Sequence, residues 1–258
     1  SYPIQRKYPN GPLKQPYDLA GWTLPLQMGV DFTKVGKKTK FRSTILTEKI
    51  KPKTTFSGKG NHLKISIASN ESYKLVNHFQ AKGNKVYFDK QNEIFYINDG
   101  SITSSDSELF LEIEKTKSIP SNLTEVIKPK IGLYKSWVAN MDEGWTRWIL
   151  TEFKFDYDTL HDKDIIGKDL SAYDAIIIPN QNESRILSGH GEGFMPNQYT
   201  GGLGLGGSLS LKEYVDQGGR IIAFDKASNF VISTMNLPVK NITKPLAPSS
   251  FFIPGSLL

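Results

Sequence analysis

The feature of this sequence that most constrains its fold is an alternation of strands and helices in the second half of the chain. Strands are predicted at four places, most of them continuously apolar: residues 130–134, 157–160, 175–178 and 220–224. Helices are predicted between them at 142–153 and 210–217, the second ending at a pair of glycines. Strands separated by helices in this way are typical of a parallel sheet covered on both faces. We therefore predict a doubly wound, flavodoxin-like α/β domain over residues 128–258.

Residues 61–127 have the pattern of a smaller α/β unit. Three strands are predicted in it, at residues 62–68, 85–88 and 94–97. Asn70 is a suitable N-cap for a helix between the first two strands, and Gly83 is a suitable end for it. Ser105 and Glu108 have the spacing of a capping box, which predicts a second helix over residues 108–117.

Residues 1–60 are rich in proline and lysine, and we predict that they form an extended connecting arm with short strands. Three apolar side chains of this arm, those of Trp22, Leu26 and Met28, are expected to dock on another protein surface. The arm holds 12 Lys and Arg against 3 Asp and Glu, whereas the rest of the chain holds 20 against 23.

The net charge of +6 therefore belongs to the arm and not to the predicted α/β units. A nucleic-acid binder would carry basic residues on a folded face with aromatic residues between them, so we predict no nucleic-acid partner. The longest apolar runs are much shorter than the ~20 residues of a membrane-spanning helix, so we predict no membrane partner.

No complete catalytic or metal site can be assembled from the sequence. The chain has no cysteine, and its four histidines lack the spacing of a helical zinc site. His190 and Glu192 come closest to a ligand pair but have no third partner nearby in sequence. The glycine cluster at 201–207 is predicted to be a flexible loop leading into a helix, with anion binding as the alternative.

Ser228 follows the predicted strand 220–224, the position of a nucleophile on a strand-to-helix turn. Its neighbours are Ala227 and Asn229, however, and not the glycines that permit a sharp turn. We therefore interpret Ser228 as a helix N-cap, with a hydrolase nucleophile as the alternative.

A ligand site is predicted where the first parallel strand ends, because ligands of such sheets collect at the carboxyl ends of the strands. The candidate ligand-binding side chains are those of Lys135, Asn140, Asp142 and Glu143. Trp137 and Trp145 are candidates for its walls. The alternative is that Asp142 caps the helix and the tryptophans belong to the core.

Four stretches of the sequence carry a family resemblance. Three of them resemble the C-terminal region of large bacterial zinc carboxypeptidases of the carboxypeptidase A-like family: PYDLAGWTLPLQMGV at 16–30, IGLYKSWVANMDEGWTRW at 131–148 and FIPGSLL at 252–258. The fourth, LKEYVDQGGRII at 211–222, is similar to the helix–Gly-Gly–strand step of class I glutamine-amidotransferase-like domains, which often serve as non-catalytic accessories.

This resemblance implies that the chain is part of a larger, periplasmic or secreted zinc metallopeptidase that removes C-terminal residues from peptides. In that family an upstream domain supplies His-x-x-Glu, a later His and a general-base Glu, and it holds the zinc. None of these positions exists here, and the amidotransferase cysteine is missing, so no catalytic residue and no cofactor is assigned to this segment. We expect a non-catalytic accessory module whose partner is the upstream peptidase domain, with a peptide substrate as a possible second partner. The alternatives are a small-ligand or glycan-binding module and a hydrolase that uses Ser228.

Overall fold

A computed structural model describes residues 5–12, 14, 31–33, 35–48, 53–102, 109–244 and 246 of the chain. It divides into two compact units, residues 1–49 with 240–258, and residues 50–239. The helices and strands named below all belong to the second unit. Among the described residues of the predicted arm, Thr55–Gly58 form the only strand.

The first half of this unit is a six-stranded sheet with one helix. The elements in chain order are β1 (Thr55–Gly58), β2 (His62–Ser66), α1 (Glu71–Ala81), β3 (Val86–Asp89), β4 (Ile94–Ile97), β5 (Glu112–Thr116) and β6 (Thr124–Glu125). The strand order is β1-β5-β2-β4-β3-β6, and all neighbours are antiparallel except β1 and β5. Alternate residues of β2 face α1, so that Leu63 and Ile65 pack with Leu75, Val76 and Phe79 in one buried cluster.

The predicted helix over residues 108–117 is wrong, because Glu112–Thr116 in the middle of this segment form the strand β5. Its burial alternates with a period of two: Ile113 is buried, whereas Glu112 and Glu114 are exposed. The strand is held between β1 and β2, and Glu114 forms a cross-strand ion pair with Lys64 at 2.6 Å. Tertiary pairing therefore overrides the helical pattern. The capping-box residues Ser105 and Glu108 lie outside the described residues.

The second half is a parallel α/β domain. Its elements in chain order are β7 (Ile131–Tyr134), α2 (Met141–Glu152), β8 (Tyr157–Leu160), α3 (Asp162–Ile165), β9 (Ala175–Ile178), α4 (Glu183–Ser188), a 3₁₀ turn (Asn197–Tyr199), α5 (Gly204–Asp216), β10 (Ile221–Ala223) and α6 (Ala227–Thr234). The four strands are all parallel, in the order β10-β9-β7-β8. Numbered by appearance this order is 2-1-3-4, which is the flavodoxin-like arrangement.

Apolar clusters lie on both faces of this sheet. On one face, Ile131, Leu133 and Ile177 pack with Leu150 of α2. The larger cluster lies on the other face. It contains side chains from β7, β8, β9 and helices α3 to α6, among them Tyr134, Ile176, Ile178, Leu211 and Phe230. Helices therefore cover both faces, and the predicted α/β fold class is confirmed.

Helix α5 begins at Gly204, six residues before the predicted start, so the prediction of a flexible loop is wrong for residues 204–207. The reason is packing, since Leu203 and Leu211 are almost fully buried on the same side. A Cβ atom on Gly207 would lie 2.8 Å from the Cβ of Leu203, which only glycine avoids. The glycines therefore permit close packing of the first helical turns.

Among the described residues, no helix combines the length and the apolar composition needed to cross a membrane.

Candidate functional site

The candidate site lies at the carboxyl edge of the parallel sheet, at the switch point between β7 and β9. The chain leaves β7 towards α2 on one face, and it leaves β9 towards α4 on the other face. The two loops, residues 135–140 and 179–182, therefore diverge from adjacent strands and border a crevice. This is where ligands bind in open parallel α/β sheets.

Asn180 joins the loops that follow three strands. Its side-chain NH₂ donates to the Asp142 carboxylate at 2.8 Å, and its side-chain oxygen accepts from the backbone N–H of Lys226 at 3.3 Å. Its backbone carbonyl accepts from the Asn140 side chain at 3.0 Å. Asn140 is also the N-cap of α2, because its side-chain oxygen accepts from the Asp142 N–H at 3.0 Å. The structure thus brings the predicted residues Asn140 and Asp142 together, in a network that fixes the edge.

Glu143 is placed away from this network. It is buried and forms an ion pair with Arg147 one helical turn later, with an Nε–Oε1 distance of 2.9 Å. Arg147 also donates to the hydroxyl of Thr159 at 2.9 Å, and its guanidinium lies over the Tyr157 ring. The carboxylate of Glu143 is therefore occupied by Arg147, and Arg147 anchors α2 to β8.

Lys135 lies beside a cluster of aromatic rings. The indole of Trp137 stacks on the imidazole of His161, with ring centroids 3.8 Å apart and planes inclined by 4°. The edge of Tyr199 contacts the same indole, and His190 Nε2 donates to the Trp137 carbonyl at 3.2 Å. The Nδ1–H of His161 donates to the Lys135 carbonyl at 2.7 Å, so the lone pair of a neutral His161 ring is on Nε2. Trp137 is half-buried as a wall of the edge, whereas Trp145 is not part of this cluster.

A buried polar group behind this edge was not predicted from the sequence. Tyr134 is 1% exposed and donates its hydroxyl proton to Asp162 at 2.7 Å. Burial raises the pKa of Asp162 above its ordinary value, although the hydrogen bond from Tyr134 opposes this shift. Burial also raises the pKa of Tyr134, and the neighbouring Asp162 carboxylate adds to this shift. A signal was present in the sequence, since both residues lie at strand ends, where polar groups gather.

The structure also places the remaining candidates. Ser228 lies inside α6, whose N-cap is Lys226, so the N-cap interpretation of Ser228 is wrong. Its hydroxyl donates to the carbonyl of Ala223 at 3.3 Å and so ties the helix to the end of β10. Within the described ranges, no group of three or more His, Asp or Glu side chains is arranged to hold a metal ion. The predicted docking residues Trp22, Leu26 and Met28 lie outside the described residues.

A second candidate surface is the outer face of α2. Its four large apolar side chains are Met141, Trp145, Trp148 and Ile149, and they are 78%, 60%, 55% and 48% exposed. The two indole rings meet edge to face, with centroids 6.2 Å apart. Trp145, Trp148 and Ile149 are three and four residues apart on the helix, so they share one face of it. The alternative that the two tryptophans Trp137 and Trp145 are core is wrong for Trp145, because Leu150 and Glu143 are the buried residues of this helix.

Searches of protein families, of curated proteins and of solved structures found no match for this chain.

Proposed function

We propose that this chain is a non-catalytic accessory module of a zinc-carboxypeptidase-like protein and packs against the peptidase domain through the outer face of α2. The observation that carries this proposal is the exposed row of Met141, Trp145, Trp148 and Ile149. In the proposed parent protein, the upstream domain holds zinc and removes C-terminal residues from peptides. The resemblance of that parent to secreted enzymes supports a periplasmic or secreted location.

The composition of the α2 face supports a protein partner. Its residues occur at positions i, i+4, i+7 and i+8, so they form one continuous stripe along the helix. Tryptophan is enriched at the centres of protein interfaces, and these centres are poor in charge. Charged groups lie at the ends of the stripe, where Asp142 binds Asn180 and Glu152 forms an ion pair with Lys74. An apolar centre with a polar rim is the usual anatomy of an interface.

The contacts at the carboxyl edge support a structural role for the polar groups there. Asn140, Asp142 and Asn180 satisfy one another, and Glu143 is paired with Arg147. A nucleophile needs a base within hydrogen-bonding distance, whereas the hydroxyl of Ser228 donates to a backbone carbonyl. We therefore favour the accessory role over the Ser228 hydrolase.

A binding experiment tests the docking proposal. The chain and the upstream peptidase domain are produced separately, and their affinity is measured by calorimetry. Replacing Trp145 and Trp148 together by serine is expected to weaken binding by roughly 1,000-fold, since interface tryptophans contribute about 2 kcal/mol or more each. The matched control replaces Leu205 and Leu209, which are 76% and 57% exposed on α5, by serine. Equal affinity of the wild type and the tryptophan variant would contradict the proposal.

The parent class has a separate test in the coding sequence that precedes Ser1. It is expected to encode His-x-x-Glu followed by a distant His, the zinc ligands of the family. An upstream domain without this pattern would contradict the assignment to a zinc-carboxypeptidase-like protein, whether or not α2 docks on it.

A second candidate function is a small-ligand or glycan-binding module at the carboxyl edge. It is favoured by Lys135, whose ammonium forms no hydrogen bond or ion pair within the described part of the chain, beside the Trp137–His161 stack. Thermal-shift measurements with peptides and sugars test it, because a ligand that binds only the folded state raises the apparent stability. A true ligand is expected to lose its effect in Lys135→Met. A shift of equal size in that variant would place the ligand elsewhere.

A further inference from the structure

A cavity of about 260 Å³ opens at one end of the six-stranded sheet, where β1 and β5 begin and β2 ends. It is unrelated to the parallel domain and to the α2 face. Phe110, which is 66% exposed, borders its rim. Ile65 and Leu111 also border it, but they are 1% and 4% exposed because their side chains pack in the buried cluster with α1. The side chains of Phe110 and Glu112 lie on the opposite face of β5 from that of Leu111, so the exposed apolar group of the cavity is the Phe110 ring.

Two side chains of opposite charge, Lys53 and Glu112, line the same cavity. Both are exposed, and within the described residues neither side chain forms an ion pair or a hydrogen bond. Elsewhere on the same sheet opposite charges do pair: Lys64 of β2 and Glu114 of β5 form an ion pair at 2.6 Å. The cavity thus offers a free cation and a free anion beside an exposed aromatic ring.

The register of the strands explains this arrangement. Thr55 of β1 lies opposite Glu112 of β5, and the N–H of Thr55 donates to the carbonyl of Leu111 at 2.9 Å. Lys53 precedes Thr55 by two residues, which places it on the same side of the extended chain as Glu112. The pairing of β1 with β5 therefore places Lys53 and Glu112 at the same opening of the cavity.

We propose that this cavity binds a small zwitterion with an apolar side chain, of the class of hydrophobic α-amino acids. Lys53 binds the carboxylate, Glu112 binds the ammonium group, and the side chain lies against the ring of Phe110. The volume supports a ligand of this size, because pockets for drug-sized molecules are larger, at about 300–1,000 Å³. Charge-assisted hydrogen bonds at both ends give selectivity for molecules that carry both charges. This proposal does not depend on the docking role of α2.

The test is a calorimetric titration of the full chain with L-phenylalanine and L-leucine. Saturable binding is expected for both amino acids. The two analogues are 2-phenylethylamine, which lacks the carboxylate, and 3-phenylpropionate, which lacks the ammonium group. Each is expected to bind at least about ten-fold more weakly, because it loses one charged hydrogen bond. These analogues require no mutation, so this part of the test is independent of the folding of any variant. Absence of saturable binding by both amino acids, or equal binding of the analogues, would overturn the proposal.

Three variants locate the site. Lys53→Met, Glu112→Gln and Phe110→Ala are each expected to weaken L-phenylalanine binding at least about ten-fold. The matched controls are Lys90→Met and Glu192→Gln, which remove exposed charges outside the cavity and are expected to bind like the wild type. Unchanged affinity in all three cavity variants would overturn the assignment of the site. Failure of this experiment would leave the affinity between the α2 face and the peptidase domain unaffected, so the two proposals fail separately.

Discussion

Removing the hydroxyl of Tyr134 tests the buried polar group behind the carboxyl edge. In Tyr134→Phe the ring is kept, and only the donor to Asp162 is lost. Tyr134 and Asp162 are 1% and 7% exposed, so water does not readily replace the lost donor. The second carboxylate oxygen of Asp162 has no hydrogen-bond partner among the described residues. The variant therefore leaves a buried carboxylate without its hydroxyl donor.

The size of the effect follows from this geometry. A hydrogen bond to a charged group contributes about 1.5–3 kcal/mol, and a buried charged group left unsatisfied costs more. We expect Tyr134→Phe to lower the free energy of unfolding by about 2–4 kcal/mol at pH 7. In an Asp162→Asn background the same change should cost only about 0.5–1.5 kcal/mol, because the acceptor is then neutral.

The effect should depend on pH in a defined direction. Burial raises the pKa of Asp162 in the folded state, so the folded protein holds this proton more tightly than the unfolded chain does. The contribution of Asp162 to stability is therefore largest at acidic pH and is lost as the pH rises through the folded-state pKa. The Tyr134 hydroxyl favours the ionised form, so removing it raises this pKa further. The deficit of Tyr134→Phe should consequently be largest at pH 7 and smaller at pH 4.

The assay is urea denaturation of the four proteins of this double-mutant cycle at both pH values. The coupling energy between Tyr134 and Asp162 should be at least about 1 kcal/mol at pH 7 and should fall at pH 4. A deficit below about 0.5 kcal/mol at pH 7, or a deficit that grows at pH 4, would contradict a stabilising hydrogen bond from Tyr134 to an ionised Asp162.

Three further predictions concern the parallel domain. Gly132→Ala should destabilise the fold by about 1–3 kcal/mol in urea denaturation, because the new Cβ would lie 2.5 Å from Cδ1 of Leu160, and a wild-type midpoint would contradict this. Gly144→Ala, in open space on α2, should instead stabilise by about 0.5–1 kcal/mol; a lower thermal midpoint would be the contrary result. Arg147→Leu should lower the free energy of unfolding by about 2–4 kcal/mol, because it leaves Glu143 buried and unpaired. Adding Glu143→Leu should recover much of this loss, and equal deficits in the single and double variants would disprove the pairing.

The architecture was largely predictable from the sequence, because it depends on local patterns. The continuously apolar segment Ala175–Ile178 was predicted as a buried strand and is one. The alternative that Asp142 caps α2 is wrong, because the N-cap is Asn140. Segment 108–117 was mispredicted because its role depends on strands β1 and β2, which are distant in sequence. The start of α5 was misplaced because glycine usually disfavours helix, whereas the burial of Leu203 and Leu211 depends on neighbours that are distant in sequence.

The sequence predicted where the candidate site lies, at the carboxyl ends of the strands, but not which side chains contact one another there. The strand ends drew attention to Asn140 and Asp142, but their partner Asn180 comes from a loop forty residues away and cannot be identified from spacing. The spacing of Trp145 and Trp148 placed them on one face, but it could not show whether that face is covered. Periodicity identifies an apolar stripe, whereas burial depends on the neighbours that the fold brings to it.

The central claim is that the outer face of α2 is covered by a peptidase domain. Hydroxyl-radical footprinting of the chain alone, and of the chain joined to its upstream domain, measures this directly at Trp145 and Trp148. The account predicts that oxidation of both indoles slows several-fold in the joined protein, while Leu205 and Leu209 on α5 react at the same rate in both. Equal rates of tryptophan oxidation in the two samples would contradict it.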